Sequence, residues 1–72
     1  MKKVFKLDEL DCANCAAKME NAINKLDGVE KATINFMMRK LTIVADESVM
    51  DKIVDEAQRA IKKIEPDCVI VR

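Results

Sequence analysis

The sequence predicts an α+β fold in which a four-stranded antiparallel sheet carries two helices on one face, in the order βαββαβ. Apolar residues alternate in several short runs and recur at three- and four-residue intervals in two longer ones. These runs follow one another as strand, helix, strand, strand, helix, strand. A single glycine and a single proline leave no linker between the halves, so residues 1–72 form one domain.

Lys3 to Leu7 reads as the first strand, with Phe5 and Leu7 inward and Val4, Lys6 and Asp8 outward. From Ala13 to Leu26 the spacing turns helical, and Ala16, Met19, Ile23 and Leu26 make one face; Gly28 just beyond suits a left-handed C-terminal cap. Alternation returns over Val29 to Phe36, with Ala32, Ile34 and Phe36 on one side, and again over Leu41 to Ala45. These two strands pair through a link at Met37 to Lys40 that lacks the Asn-Gly or Asp-Gly of a tight hairpin. Ser48, with Asp51 three residues on, resembles a capping box and opens the second helix. Its apolar face is Ile53, Ala57, Ala60, Ile61 and Ile64, and Pro66 ends it. Cys68 to Val71 makes the last strand. The order is that of the ferredoxin-like split βαβ fold, which names no function by itself.

Composition removes several classes. Lysine plus arginine equals aspartate plus glutamate at 13 each, and only Phe5 and Phe36 could stack on bases, so nucleic-acid binding is not expected. No apolar stretch approaches the about 18 residues needed to cross a bilayer, and no signal region opens the chain, so a cytoplasmic module without direct membrane insertion is expected. Three cysteines are too few, and odd in number, for a disulfide scaffold; a close pair in a reducing cytosol points to metal or redox chemistry.

That pair is Cys12 and Cys15, in the run Asp11-Cys12-Ala13-Asn14-Cys15 between the first strand and the first helix. The first helical amides have no intrahelical partners, and together with the helix dipole they favour thiolate over thiol, the form that binds metal. A three-residue offset lets both sulfurs converge on one ion. Two thiolates satisfy linear Cu(I), whereas Zn(II) wants further donors, and Asp11 is the obvious third. With a divalent ion that set leaves one net negative charge; around Cu(I) the carboxylate would leave two and offer a hard oxygen to a soft ion. Asp11 therefore favours Zn(II), Cd(II) or Pb(II), with Cu(I) as the alternative cargo. The plainer role for Asp11 is to complement the helix dipole.

Cys68 starts a strand expected beside the first, which brings it towards the metal loop. Parity does not decide its face, since Cys68 with Ile70 and Val69 with Val71 are both apolar sets. Core packing, metal contact and a redox role all remain open to it. Met37 and Met38 offer soft sulfur but fall in a turn expected away from the cysteines. Histidine is absent and the cysteines number three, so a closed four-ligand structural zinc site is not expected. A thiol–disulfide redox protein shares the Cys-x-x-Cys motif but usually needs a larger thioredoxin-like fold.

Leu10-Asp11-Cys12-Ala13-Asn14-Cys15, supported by Leu26-Asp27-Gly28-Val29, resembles the heavy-metal-associated domain over nearly the whole chain. That family occurs as the amino-terminal module of metal-exporting P-type ATPases and as free metallochaperones. Where its loop usually carries Gly-Met, this sequence has Glu9 and Leu10; leucine keeps the apolar anchor, and glutamate gives up glycine's backbone freedom. Aspartate directly before the first cysteine is similar to the zinc, cadmium and lead exporters more than to the copper branch. The resemblance implies a divalent site at Asp11, Cys12 and Cys15. It also implies a module that captures and transfers an ion without being an enzyme itself. Its partners would be a transporter's membrane domain or a metallochaperone. A free-standing copper metallochaperone is the alternative, and exposed thiols also leave room for a metal-bridged dimer.

Overall fold

The computed structural model describes all 72 residues, and its elements are β1 (Lys2–Asp8), α1 (Ala13–Asn24), β2 (Val29–Asn35), β3 (Lys40–Ala45), α2 (Glu47–Ile64) and β4 (Val69–Val71). The strands form one antiparallel sheet in the order β2-β3-β1-β4, the expected ferredoxin-like arrangement. Register follows the hydrophobic alternation: Phe5 faces Leu41 across β1 and β3, and Leu7 faces Ile70 across β1 and β4. Leu7, Ala32, Leu41, Ile43, Ala45 and Ile70 are buried against Ala16, Met19 and Ile23 of α1 and Met50, Ile53, Val54, Ala57 and Ile61 of α2. The other sheet face is open, with Val4, Val69 and Val71 exposed on it.

Several boundaries differ from the sequence expectation. Helix α1 stops at Asn24, so Leu26 packs on the core from the turn beyond. Gly28 does take a left-handed φ of 93°, but it lies within the turn into β2 and not at the helix cap, which is Lys25. The N-cap of α2 is Asp46, not Ser48: its carboxylate accepts the Ser48 N–H at 2.9 Å and the Ser48 hydroxyl at 2.8 Å. Both residues are good caps, and Asp46 is the one that β3 delivers with extended backbone. The buried stripe of α2 also includes Met50 and Val54, whereas Ala60 and Ile64 are only half-buried.

The sheet has two exposed edges, and side chains close both. The Asn24 amide donates to the Ala32 carbonyl and accepts the Ala32 N–H, at 2.9 and 2.8 Å, while Glu20 accepts the Ile34 N–H on the same β2 edge. On β4 the Gln58 amide does the same for the Cys68 carbonyl and the Ile70 N–H. These bonds occupy backbone groups that would otherwise recruit another strand.

Because β1 and β2 both run antiparallel to β3, they are parallel to each other and end at the same end of the sheet. The β2–β3 turn therefore lies beside the β1–α1 loop, and the Leu7 N–H donates to the Arg39 carbonyl at 2.7 Å. This corrects the expectation that Met37 and Met38 sit away from the cysteine loop. They are exposed in the turn at that same end.

Candidate metal centre

The loop from Glu9 to Cys12 turns the chain out of β1 and into α1. Leu10 anchors it, fully buried in the core. Glu9 adopts a left-handed φ of 60°, so the bend that glycine would make freely is made here by glutamate, at a cost of about 1 kcal/mol.

Cys12 is the N-cap of α1. Its backbone is extended, its carbonyl accepts the Ala16 N–H at 3.0 Å, and its sulfur accepts the Cys15 N–H at 3.2 Å, taking the place of the usual serine or aspartate oxygen. The cap bends the chain so that the Cys15 side chain comes back over Cys12. Both residues are half-buried. The Cys15 thiol next to Cys12, together with the N–H groups of Cys15 and Asn14, holds the Cys12 thiol below its ordinary value. Cys15 moves the other way, pushed up to about 11, because the Cys12 sulfur beside it favours its protonated form, burial opposes its charge and the Glu65 carboxylate bonds its thiol. The two thiols are thus unequal, and Cys12 is the one more readily ionised.

Glu65 is the site residue that sequence reading missed. It follows the last residue of α2 and precedes Pro66, which forces it extended (φ −136°, ψ 95°). Its N–H donates to the Ile61 carbonyl at 2.8 Å and its carbonyl accepts the Cys68 N–H at 3.1 Å, so its backbone is fixed at both ends. Topology was the signal that could have found it. In this element order α2 must finish at the end of the sheet where α1 begins.

Asp11 does not point at the thiols. Its side chain is 74% exposed and its ion-pair partner is Arg39, at 4.0 Å. It makes no bond to the helix amides, whose cap is Cys12. In this conformation no three cysteine, aspartate or glutamate side chains converge closely enough to hold an ion. The geometry sets Cys12 and Cys15 side by side, with Glu65 near enough to raise the Cys15 thiol, and leaves Asp11 paired with Arg39 at the same end of the sheet. Cys68, with no exposed surface, packs in the core, and burial pushes its thiol up, helped by the charges of Glu65, Asp8 and Asp11. No helix is long and apolar enough to cross a membrane.

The model of the heavy-metal-associated domain matches residues 4–67. The chain is 33% identical over 66 residues to a cadmium, zinc and cobalt-transporting ATPase of Bacillus subtilis, covering 92% of this chain and 9% of that protein. It is 36% identical over 56 residues to the zinc/cadmium/lead-transporting P-type ATPase of Escherichia coli, covering 78% of this chain and 8% of the relative. The chain thus spans less than a tenth of each of these relatives. Among solved structures, a CopZ metallochaperone superposes over 99% of this chain and 100% of its own with a TM-score of 0.72 at 22% identity, a likeness of fold. A match that takes in both helices and three of the four strands, with relatives above 30% identity, means that this chain belongs to the heavy-metal-associated domain family.

Proposed function

We propose that this chain captures one soft divalent ion, Zn(II), Cd(II) or Pb(II), through Cys12 and Cys15 with Asp11 as a third donor, and passes it on by ligand exchange. The observation that carries the reading is the pair of half-buried cysteines at the start of α1, where the Cys12 sulfur caps the helix by accepting the Cys15 N–H at 3.2 Å. Two thiolates and one carboxylate around a divalent ion leave a single net negative charge, and a second carboxylate from Glu65 would complete a four-donor shell at a net charge of −2. The half-exposed site suits transfer, because a partner's ligands can replace these one at a time. The cadmium- and zinc-transporting relatives support a role as the cytosolic module of such an exporter, with its membrane domain or a metallochaperone as partner.

A second reading has an observation of its own. With Asp11 turned to Arg39, the two thiols alone would suit linear Cu(I), as in a free copper carrier.

Anaerobic competition of the reduced protein against chelators of known affinity separates the two. Cys12→Ser, Cys15→Ser, Cys68→Ser, Asp11→Asn and Glu65→Gln are tested alongside, with Zn(II), Cd(II), Pb(II) and Cu(I) as the ions. Tight 1:1 divalent binding is expected, lost with Cys12 or Cys15, kept with Cys68→Ser, and weakened by Asp11→Asn far more for Cd(II) than for Cu(I). Equal losses for both ions would remove Asp11 from the ligand set, and a strong Cu(I) preference would make the chain a copper carrier.

A further inference from the structure

We infer that Arg39 is a selectivity residue of this site: it holds Asp11 off the thiols until a divalent ion replaces it as the carboxylate's partner. The inference rests on the reading of Asp11 as a divalent-metal donor.

Three features of the β2–β3 turn carry it. The backbone of Arg39 is fixed to the strand that leads into the metal loop, its carbonyl accepting the Leu7 N–H at 2.7 Å and its N–H donating to Phe36 at 3.3 Å. Asn35 braces the same turn by accepting the Met38 N–H at 3.1 Å. Arg39 also stands in the left-handed region, φ 53°, a conformation that arginine adopts at a cost. The turn thus sets the root of this side chain next to Asp11, although the side chain as a whole is 58% exposed.

The contact is loose in a way that suits exchange. At 4.0 Å it is longer than a hydrogen bond, so it is charge attraction without a fixed geometry, and water competes for both partners. Asp11 has no second role to give up, since Cys12 caps the helix. A divalent ion at the thiols offers the carboxylate a stronger partner, and Asp11 leaves Arg39 to take it. A monovalent ion held by two thiolates offers little to a hard oxygen, so the Arg39 pair survives. Arg39 therefore lowers divalent affinity by the strength of the pair and leaves Cu(I) affinity untouched by that route. The freed guanidinium then stands beside a site of net negative charge, within reach of an incoming acidic or thiolate donor.

The test is a double-mutant cycle. Cd(II) and Cu(I) affinities are measured anaerobically at low ionic strength for the parent protein, Arg39→Gln, Asp11→Asn and the double variant, with melting temperatures as a control on folding. Arg39→Gln should tighten Cd(II) binding by about two- to five-fold when Asp11 is present, the range expected of an exposed pair. That increment should disappear in the Asp11→Asn background, shrink in 1 M salt and be largely reversed in Arg39→Lys, which restores the charge. The side-chain Nε–H resonance of Arg39 should move when Cd(II) saturates the parent protein and stay in place in Asp11→Asn. An equal effect of Arg39→Gln in both backgrounds would overturn the proposal, because Arg39 would then act through the general field of the site. If Asp11→Asn leaves Cd(II) affinity unchanged, the failure lies instead in the reading of Asp11 as a donor, and this inference goes with it.

Discussion

The unequal thiols of the candidate centre make a prediction that needs no metal. At pH 7 the thiolate populations of two cysteines differ tenfold for each unit between their pKa values. Cys15 sits at about 11 and Cys12 below 9, a gap of two units or more, so Cys12 carries at least about 100 times more thiolate. Part of this is offset, because the weaker base is the weaker nucleophile; with a Brønsted slope of about 0.45, two units return about eight-fold. Cys12 should therefore alkylate about ten times faster than Cys15, or more. Limiting iodoacetamide on reduced, chelated, anaerobic protein, quenched early and read by peptide mass spectrometry, measures the ratio directly. Cys68, without exposed surface, should label last and only as fast as the fold opens. Glu65→Gln should narrow the gap between Cys12 and Cys15, since the Glu65 carboxylate is one cause of the raised value at Cys15. Labelling of Cys15 as fast as Cys12 would refute the inequality of the two thiols and, with it, the account of why the cap sulfur is the nucleophilic one.

The backbone and the second cap yield three more tests. Glu9→Gly relieves a left-handed glutamate, and urea denaturation should show a gain of up to about 1 kcal/mol. Gly28→Ala should do the reverse by about 1 to 2 kcal/mol, because a Cβ at φ 93° is strained and would also meet Ile53 Cδ1 at 3.3 Å. Asp46 has its carboxyl held below the ordinary value by the Ser48 N–H and hydroxyl. Its contribution is therefore complete above the unfolded value and lost as pH falls through the lower folded one. Asp46→Ala should melt earlier than the parent at pH 7, and the two curves should converge in acid.

Much of this fold was legible because one face of every element is buried. The alternation of Phe5 and Leu7, and of Leu41, Ile43 and Ala45, fixes which side of the sheet meets the helices, and the structure keeps that side. Failures came where two residues competed for one task or where topology outranked local pattern. Asp46 and Ser48 can both cap a helix, and only the exit of β3 decides between them. Met50 and Val54 widen the stripe of α2 because that helix covers several strands, a fact of packing that periodicity alone does not contain. Parity could not orient β4; pairing with β1 did so, sending Cys68 and Ile70 inward. Of the candidate site, Cys12 and Cys15 announced themselves by spacing at a helix start. Glu65 and Arg39 did not, because they reach the site from the end of α2 and from the β2–β3 turn, and nothing near them in sequence refers to the cysteines.

The four donors proposed here share a property in this conformation: each already has a partner. Cys12 accepts from a backbone amide, Cys15 is held protonated by Cys12 and the Glu65 carboxylate, and Asp11 pairs with Arg39. A site of bare, mutually repelling anions would strain a domain this small, whose stability margin is narrow. Satisfied donors avoid that strain, and they turn binding into an exchange in which protons leave the thiols and an arginine leaves a carboxylate. The same exchange run backwards lowers the cost of release, since every donor given up by the ion finds its former partner waiting nearby. For a carrier this matters more than the tightest possible grip. An ion held by a rigid, preformed cage would stay there, whereas one held by groups with alternative partners can be handed to the next set of thiols.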